Sequence, residues 1–548
     1  MAKKNAAAGP KPVEERNFIY RAFWSFTHGD IWVKLSALIA GMSCFKRKQY
    51  LKGALQTAAE AVILYLIFGV FAPYMSKLDT LGTVQYERVM DRATRSYTVN
   101  NYDNSFMILL FGLIGVVLCL AAVILWLRNL NNAYEVQVRE EKHRHINSFR
   151  EDLTDCMNVK YHRTILTLPV LGVVCFTIIP LLVMILVAFT NYDKQHLVPA
   201  NLFTWVGLTN FKALLNLGNN GAFGYAFIKV LIWTLEWAVL ATFTTYFGGI
   251  LLAMFINNKN THGKKLWRSL FMVAIAVPQF VSLLLVRSLF ADQGIVNTLC
   301  SKFIVSSYQL NVPVADILSQ TYIDQAAGVI QNFVQNGVAL NGIVRLPAGW
   351  EALVTQEAAE LGQTLNVTVQ VSLTNWLKDI GMISTNYIPF LTNPTWAKAM
   401  VVLINMWVGI PYQMLIAYGV LMNIPVDLLE AAKIDGANAW QSFRSITMPY
   451  VLFVTGPSLV NQLVSNINNF NVIYLLTQDI YTTQDQTLAT ANAMEPDLLV
   501  TWLYRLTQEQ SNYKMASVIG ILVFIVCAII TLIAFNQMIK GDKEDSFQ

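Results

Sequence analysis

The sequence predicts an all-α polytopic membrane protein with eight transmembrane helices and one small α/β extracytoplasmic insertion. The chain has 548 residues, of which 55% are hydrophobic and only 13% are charged. Its mean hydropathy of +0.45 is too high for a soluble protein of ordinary composition. The net charge of +5 is small for this length, so the composition does not indicate a nucleic-acid-binding protein.

Eight apolar runs are long enough to cross a bilayer, which takes about 20 apolar residues. They cover residues 54–74, 106–127, 164–190, 226–256, 267–290, 396–421, 450–476 and 515–537. An even number of spans places both termini on one side of the membrane. With the termini inside, the inner segments hold 25 Lys and Arg and the outer segments hold 10. The positive-inside rule therefore predicts a multi-pass protein of the plasma or inner membrane with both termini cytoplasmic.

Residues 1–53 form a basic segment that precedes the first span. The segment carries ten Lys and Arg. Apolar side chains such as Trp32 and Leu35 alternate with cations such as Lys34, which is typical of an amphipathic helix lying in the interface among membrane lipids. A short soluble helical hairpin is the alternative.

Residues 54–163 supply two accessory spans and a cytoplasmic loop. His143 and His145 in that loop have no carboxylate or cysteine at the spacing that metal ligands need, so no metal site is predicted there. The six cysteines of the chain lack CxxC spacing and indicate neither a disulfide framework nor a metal site.

The rest of the chain is a membrane core interrupted by a polar insertion. The core occupies 164–290 and 396–537, the insertion occupies 291–395, and a cytoplasmic tail occupies 538–548. Within the insertion, residues 365–373 alternate as a half-buried strand does, whereas 324–334 and 350–361 are predicted to be helices. These patterns predict a small α/β cap on the outer face.

A polar, helix-favouring segment joins the sixth and seventh spans on the predicted cytoplasmic side. It reads Glu-Ala-Ala-Lys-Ile-Asp-Gly at 430–436 and ends with Ile-Thr-Met-Pro at 446–449. Small alanines allow another protein surface to approach closely, and the glycine permits a sharp turn. An ordinary helical hairpin without a partner is the alternative. The residues of the predicted docking surface are Glu430, Ala431, Ala432, Asp435, Gly436, Arg444 in a second short helix, and Pro449, which leads into the seventh span.

The seventh span carries neutral polar side chains at helical spacing. Gln462, Ser465, Asn466 and Asn469 are predicted to form one stripe. Amides and hydroxyls inside a membrane need partners, and they suit the hydroxyls of a sugar. Tyr412 in the sixth span adds an aromatic face with a hydroxyl. Hydrogen bonding between helices is the alternative for the stripe.

No residue set for catalysis is present in the sequence. It has no GxxxxGKS/T, GxSxG or HExxH motif and no paired carboxylates within the spans. The protein is therefore not predicted to be an enzyme, and no cofactor is expected. Any energy for an active process must come from elsewhere.

These motifs together resemble the MalF-type permease subunits of ATP-binding-cassette sugar importers, especially the maltose and maltodextrin branch. The resemblance covers about 161–537. Besides 430–449, it rests on Thr-Leu-Pro at 167–169, Ala-Val-Pro at 276–278, Trp-Val-Gly-Ile-Pro-Tyr at 407–412, Asn-Asn-Phe-Asn-Val-Ile at 468–473 and Thr-Trp-Leu-Tyr-Arg at 501–505. It implies the type I importer permease fold and inward transport of maltose, maltodextrin or another oligosaccharide by alternating access.

The resemblance also implies partners and contacts. A second permease subunit would complete a heterodimer, two ATPase subunits would hydrolyse ATP and grip the 430–449 loop, and an extracytoplasmic solute-binding protein would deliver the sugar. The positions that match the sugar contacts of the family are Tyr412, Gln462, Ser465, Asn466 and Asn469.

Two other functions remain open from the sequence. A secondary transporter or channel without an ATPase would need titratable pairs near the bilayer midplane or inverted repeats, and neither is found. The same importer machinery for a non-sugar solute is the other alternative. A charged solute would favour Arg or Lys along the sixth and seventh spans, which are neutral.

Overall fold

The computed structural model describes residues 17–540 apart from 92–95, 217–220, 259, 320–322, 325–328, 332–333, 336–337 and 340–341. These residues divide into two units, one within 17–212 and 510–518 and the other within 213–509 and 519–540. Each unit consists mainly of α-helices. The start of the predicted N-terminal segment and nearly all of the predicted tail lie outside the described residues.

The first unit contains short N-terminal helices followed by long apolar ones. Its helices and strands are α1 (Phe18–His28), α2 (Ile31–Leu35), α3 (Met42–Lys46), α4 (Tyr50–Tyr65), α5 (Ala72–Met75), β1 (Arg88–Asp91), β2 (Ser96–Val99), α6 (Ser105–Glu141), α7 (Phe149–Met157), α8 (Tyr161–Val173), α9 (Ile179–Val187) and the start of α10 (Thr209–Leu215). A π-helical turn joins α4 to α5 and another joins α8 to α9, so each pair continues as one long helix.

The N-terminal helices pack against α6 through polar contacts. The backbone N–H of Asp30 donates to the Gln137 side chain at 2.8 Å. The guanidinium of Arg47 pairs with the carboxylates of Asp30 at 3.0 Å and Glu140 at 2.8 Å. Other side chains of the same segment, such as Ile31 at 72% exposure, point away from the unit. An apolar outer side of this kind fits the predicted position in the membrane interface.

The second unit contains the remaining helices and the insertion. Its elements are α11 (Ala222–Asn257), α12 (Lys264–Ala276), α13 (Gln279–Leu289), α14 (Ile295–Lys302), β3 (Ile304–Pro313), α15 (Val314–Leu318), β4 (Ile323–Asp324), β5 (Val329–Gln331), β6 (Val334–Gln335), β7 (Val338–Ala339), β8 (Ile343–Arg345), α16 (Gln356–Glu360), β9 (Thr364–Ser372), α17 (Leu373–Asp379), α18 (Pro394–Leu421), α19 (Val426–Ile434), α20 (Ala439–Ser442), α21 (Met448–Ile467), α22 (Phe470–Thr477), α23 (Gln486–Thr490) and α24 (Leu499–Gln508). The last helix, α25 (Tyr513–Lys540), begins in the first unit and ends in the second.

Six helices of the described chain are long and apolar enough to cross a membrane, and each matches a predicted span. They are Tyr50–Met75, Ser105–Glu141, Tyr161–Val187, Ala222–Asn257, Pro394–Leu421 and Tyr513–Asn536. The all-α polytopic fold is therefore confirmed. The predicted count of eight transmembrane helices is not confirmed, because the predicted spans 267–290 and 450–476 each consist of two helices in the structure.

A helix-stopping residue interrupts each of these two spans. Val277 and Pro278 adopt extended backbone between α12 and α13, with ψ angles of 128° and 127°. Proline lacks an N–H and disfavours helical geometry in the residue before it. In the other span α21 ends at Ile467, and the Asn469 side chain accepts a hydrogen bond from the backbone N–H of Val472 at 3.3 Å. This contact caps α22 as a new helix.

Helices α11, α18 and α21 form the bundle that carries the candidate site. The backbones of α11 and α18 approach closely, since a Cβ added to Gly249 would lie 2.5 Å from the Cβ of Gln413. A Cβ added to Gly409 would likewise lie 2.7 Å from the methyl group of Thr245. Such close contact through small residues is how membrane helices pack tightly.

The insertion contains a five-stranded antiparallel sheet in the order β3-β9-β8-β5-β4. The predicted strand at 365–373 is confirmed as β9, whose inward side chains such as Val367 are fully buried. The helix predicted at 324–334 is wrong, because its described residues belong to β4, β5 and β6. The β-branched Val329 and Ile330 pair with β8 there, which favours a strand.

Candidate functional site

The segment between α18 and α21 contains α19 and a tight turn. Helix α19 ends at Ile434, and Asp435 follows as its C-cap. Gly436 has a φ of +78°, a left-handed conformation that glycine adopts without strain. The backbone N–H of Ala437 then donates to the carbonyl of Ala432 at 2.9 Å, which closes the end of the helix. The sharp turn predicted at Gly436 is present.

Helix α20 continues from this turn into α21 without a gap. It begins with a capping box in which Asn438 and Gln441 exchange two hydrogen bonds of 2.8 Å. A π-helical turn at Phe443–Thr447 joins it to α21 and contains the exposed Arg444, which was predicted to lie in the short helix itself. Pro449 lies in the first turn of α21, directly after this π-helical turn. The helical path from α20 to α21 is therefore continuous.

The surface of α19 and α20 is uncovered. Neither helix has a buried residue. Glu430 and Ala431 are exposed and Ala432 is half-buried. Large apolar side chains are also exposed, with Ile434 at 87% and Trp440 at 66%. An apolar patch with a polar rim is typical of a protein-binding surface.

The buried side of α21 is bound to its neighbouring helices by side-chain amides. Gln462 donates to the Thr245 hydroxyl at 3.0 Å and accepts from the Gln413 amide at 2.6 Å. Asn466 is 7% exposed and donates to the Thr242 hydroxyl at 2.9 Å. These contacts are the interhelical hydrogen bonds that the sequence left open as an alternative.

An adjacent, exposed face of α21 also carries polar side chains. Ser458, Asn461 and Ser465 are exposed and follow one another at spacings of three and four residues. They therefore share one face of the helix. Asn469 is half-buried beyond the helix end, where its amide donates to the Asn466 side chain at 3.5 Å. The predicted single stripe is thus divided between a bonded side, an exposed side and the cap of α22.

A cavity of about 350 Å³ opens where the break between α12 and α13 faces α18. Its wall on α18 includes Trp407 and Tyr412, which are 53% and 57% exposed. Gln279 and Ser282 from α13 add an amide and a hydroxyl. These two residues were not predicted as site residues, although Pro278 directly before them signals the break that positions them.

Two ion pairs fix the segment that follows α22. The Asp485 carboxylate accepts hydrogen bonds from Lys229 at 2.7 Å and Tyr225 at 2.8 Å. The hydrogen bond from Lys229 holds the pKa of Asp485 well below its usual value. The Asp497 carboxylate pairs with Arg505 at 3.2 Å, but complete burial raises its pKa. Both contacts tie surface loops to helices and do not line the cavity.

The described residues contain no group of three or more His, Cys, Asp or Glu that could hold a metal ion. His145 contacts the Glu151 carboxylate at 3.0 Å. The backbone N–H of Ser148 and this histidine hold the pKa of Glu151 below its usual value. These groups cap α7 and belong to the fold of the loop.

Comparison with known proteins gives one family and several full-length relatives. The family model described as "Binding-protein-dependent transport system inner membrane component" matches residues 245–540. The chain is similar to the maltodextrin transport system permease protein MalC of Streptococcus pneumoniae, with 29% identity over 514 residues, 93% of this chain and 96% of the relative. The maltodextrin transport system permease protein MdxF of Bacillus subtilis is 29% identical over 508 residues, covering 92% of this chain and 94% of that protein.

The name of a further relative refers to a different class of sugar. The galactooligosaccharides transport system permease protein GanP of Bacillus subtilis is 27% identical over 521 residues. The alignment covers 93% of this chain and 98% of that protein. The matched family region includes α18 to α22, and therefore both the uncovered helices and the cavity wall on α18.

Proposed function

This chain belongs to the binding-protein-dependent transport system inner membrane component family, and from that membership we propose that it is the permease subunit of an ATP-driven oligosaccharide importer. It is a multi-pass membrane protein and a transport subunit. The proposed cycle is alternating access, in which the path for the sugar opens first to the outside and then to the cytoplasm. ATP would be hydrolysed in separate partner subunits.

The uncovered surface of α19 and α20 is the observation that carries this proposal. Its exposed Ile434 and Trp440 need a partner surface, and Gly436 sets the turn between the two helices. Ala431 and Ala432 leave room for close approach, while Glu430, Asp435 and Arg444 supply charges around the patch. We assign this surface to the ATPase.

The proposed assembly has four further components. A second permease subunit completes the path, and two ATPase subunits bind the docking helices of the two permeases. A solute-binding protein delivers sugar to the outer face. Both termini of this chain lie in the cytoplasm in the proposed orientation, since 25 Lys and Arg fall in the inner segments against 10 in the outer ones.

The proposed sugar site combines the cavity beside α18 with the end of α21. Tyr412 and Trp407 present aromatic faces to the cavity, and sugar rings stack on such faces. Ser465 and Asn469 supply neutral hydrogen-bonding groups at the exposed side and end of α21. Among the residues that the structure describes, no charged side chain lines this cavity, which favours an uncharged ligand. The names of the relatives suggest maltodextrins or galactooligosaccharides as candidate substrates.

Gln462 and Asn466 have a different role in this proposal. Their amides bind Thr245 and Thr242 of α11, so they hold α21 in place beside the path. A sugar would reach Tyr412, Ser465 or Asn469 before it reached the buried Asn466.

The test uses the complex that copurifies with the tagged chain from its native membrane. After reconstitution in vesicles, uptake of labelled maltotetraose and of galactotriose is measured with and without ATP. We expect ATP-dependent uptake of one of them. Ile434→Asp should remove both uptake and the copurified ATPase, because a charge in the apolar patch opposes docking. Met157→Asp is the matched control, since Met157 is an apolar residue that is 68% exposed on α7 and is not part of the proposed docking surface.

Three outcomes would contradict the proposal. Ile434→Asp could retain both the ATPase and normal uptake, which would place the docking surface elsewhere. The purified chain alone could move sugar without nucleotide, which would make it a self-sufficient transporter. ATP-driven uptake of a charged solute with neither sugar bound would reject the sugar assignment.

A further inference from the structure

The first unit contains a second cavity that the transport path does not use. It has a volume of about 420 Å³ and lies between α4 and α6. The segment that links α2 to α3 closes one end of it through Ala40. This volume is in the range of pockets that hold small organic ligands.

The closed end of this cavity is held by hydrogen bonds on both sides. The backbone N–H of Ala40 donates to the Glu60 carboxylate at 2.6 Å, and its carbonyl accepts from the Thr57 hydroxyl at 2.6 Å. From α6, the indole N–H of Trp126 donates to the carbonyl of Ala37 at 2.8 Å. The linking segment is therefore tied to α4 and to α6, and the cavity has a fixed shape.

The lining of the cavity changes from polar to apolar along the helix axes. On α4, Gln56 and Glu60 precede Ile63 and Leu64. On α6, which runs in the opposite direction in the proposed topology, apolar lining residues precede polar ones. The α6 residues in this lining are Ala122, Val123, Leu125, Trp126, Arg128, Asn129 and Asn132. The polar end of both helices thus points to the side proposed as cytoplasmic.

The length of the cavity fits one leaflet of a bilayer. At about 1.5 Å per residue, its lining extends about 12 Å along α4 and about 15 Å along α6. Half of the hydrocarbon core is also about 15 Å thick. Leu64 and Leu125 are 46% and 51% exposed, so an acyl chain could enter from the surrounding lipid.

Two opposite charges line the polar end without binding each other. Arg128 is exposed and Glu60 is half-buried, and both border the cavity. Within the described part of the chain neither forms a salt bridge. A guanidinium binds phosphate through two hydrogen bonds, whereas a carboxylate binds an ammonium group. Separate positive and negative groups are complementary to a ligand that carries both charges.

We propose that this cavity binds a zwitterionic phospholipid with a primary ammonium headgroup, of the phosphatidylethanolamine class. Arg128 binds the phosphate, and Asn129 and Asn132 add hydrogen bonds around it. The free oxygen of Glu60 accepts from the ammonium group. One acyl chain lies along Ile63, Leu64 and Val123. None of these residues belongs to the proposed sugar site or to the proposed docking surface.

The experiment measures lipid binding to the purified complex by native mass spectrometry. Phosphatidylethanolamine, phosphatidylglycerol and phosphatidylcholine are titrated separately. The wild type is expected to bind phosphatidylethanolamine most tightly, since phosphatidylglycerol lacks the ammonium and phosphatidylcholine cannot donate a hydrogen bond to Glu60. Arg128→Gln is expected to weaken binding of all three lipids by about tenfold or more, and Arg128→Lys should restore part of it.

Glu60→Gln tests the ammonium-binding part of the site separately from the phosphate-binding part. The amide can still accept from the N–H of Ala40, so the fold of the linking segment is kept. Binding of phosphatidylethanolamine should fall while binding of phosphatidylglycerol stays the same or rises. Arg163→Gln is the matched control, because Arg163 is an exposed cation on α8 outside the cavity. Its lipid binding should equal that of the wild type.

Several results would overturn the proposal. Equal lipid binding by wild type and Arg128→Gln would remove the phosphate site. If the wild type preferred phosphatidylglycerol, the proposed role of Glu60 would be rejected. If a helix of a partner subunit filled the cavity in the assembled complex, the lipid would be rejected as its occupant. The experiment measures bound lipid and not sugar uptake. The lipid proposal can therefore fail without affecting the transport proposal, and the transport proposal can fail without affecting the lipid result.

Discussion

At the scale of single residues, the proposed sugar path depends on aromatic side chains that the helices leave uncovered. Tyr412 follows Pro411 inside α18 and is 57% exposed at the cavity. The neighbouring Pro411 is buried, whereas the tyrosine lies on an exposed face of the helix. An aromatic ring with a hydroxyl can both stack on a sugar ring and hydrogen-bond to it. Tyr412 is therefore the residue at which a sugar contact is easiest to measure.

We expect Tyr412→Ala to weaken sugar binding more than Tyr412→Phe does. Stacking contributes about 0.5–1.5 kcal/mol and a neutral hydrogen bond about 0.5–1.5 kcal/mol. Tyr412→Ala loses both interactions and should raise the sugar concentration for half-maximal stimulation of ATP hydrolysis by about tenfold or more. Tyr412→Phe loses only the hydroxyl and should raise that concentration by about threefold. The measurement is ATPase activity of the reconstituted complex against sugar concentration. Tyr65→Ala is the control, since Tyr65 is 69% exposed on α4. An unchanged half-maximal concentration for Tyr412→Ala would exclude this residue from the site.

At the scale of elements, the two interrupted spans divide the second unit into two apolar cores. One core joins α13 and α22 to α11 and α18, through residues such as Leu283 and Ile473. The other joins α12 and α21 to the same two helices, through residues such as Phe271 and Val451. Each interrupted span thus contributes one half to each core. The proposed alternating access needs halves that can move separately, and we expect these breaks to allow such movement.

The sequence predicts the position of these spans but not their breaks. Hydropathy is averaged over a window, and the residues around Pro278 are apolar on both sides, so the run appears continuous. At 468–469 two asparagines interrupt the run, but their periodicity also fits a polar stripe. Spacing alone cannot show that Asn469 is a helix cap while Gln462 binds another helix. That distinction depends on which helix lies beside α21, which is a tertiary property.

Substitutions on the two sides of α21 should separate stability from sugar binding. Gln462→Leu leaves the buried Gln413 amide without its 2.6 Å partner, which should cost about 1–3 kcal/mol of folding free energy. Ser465→Ala removes only an exposed hydroxyl and should leave stability unchanged. We therefore expect a lower Tm with unchanged sugar affinity for Gln462→Leu, and an unchanged Tm with weaker sugar affinity for Ser465→Ala. The measurements are thermal unfolding of the purified complex and sugar-stimulated ATP hydrolysis.

The opposite pattern would assign the sugar contact to the other side of α21. If Gln462→Leu kept its Tm and lost sugar affinity, the amide would face the ligand during transport. If neither substitution changed the affinity, the exposed side of α21 would instead be a contact with the second permease subunit.

At the scale of the whole molecule, we propose a sugar path and a docking surface for this chain, and its sequence has no motif for holding a nucleotide. No GxxxxGKS/T loop occurs in the sequence. The connection from α20 through the π-helical turn to α21 is continuous, and in the proposed cycle it would carry a displacement of the docking helices to α21. Composition predicts that the chain spans a membrane, and the distribution of Lys and Arg predicts that both termini are cytoplasmic. The strands of the insertion are predicted only where alternation is strong, as in β9, because the short strands β4 and β5 depend on pairing with distant residues.

The proposed orientation makes a prediction for the intact cell. A membrane-impermeant maleimide should label a cysteine placed at Glu357 in the insertion, but not one placed at Arg144 or Lys433 until the membrane is permeabilised. All three positions are exposed in this chain. Because the proposed ATPase contact covers α19, labelling after permeabilisation is read at Arg144→Cys. The six native cysteines are first replaced by serine, and this variant must retain uptake. Labelling of Lys433→Cys from outside would place the docking helices on the wrong side for a cytoplasmic ATPase. Since the excess of Lys and Arg lies on the side of Arg144 and Lys433, that result would also contradict the positive-inside rule for this chain.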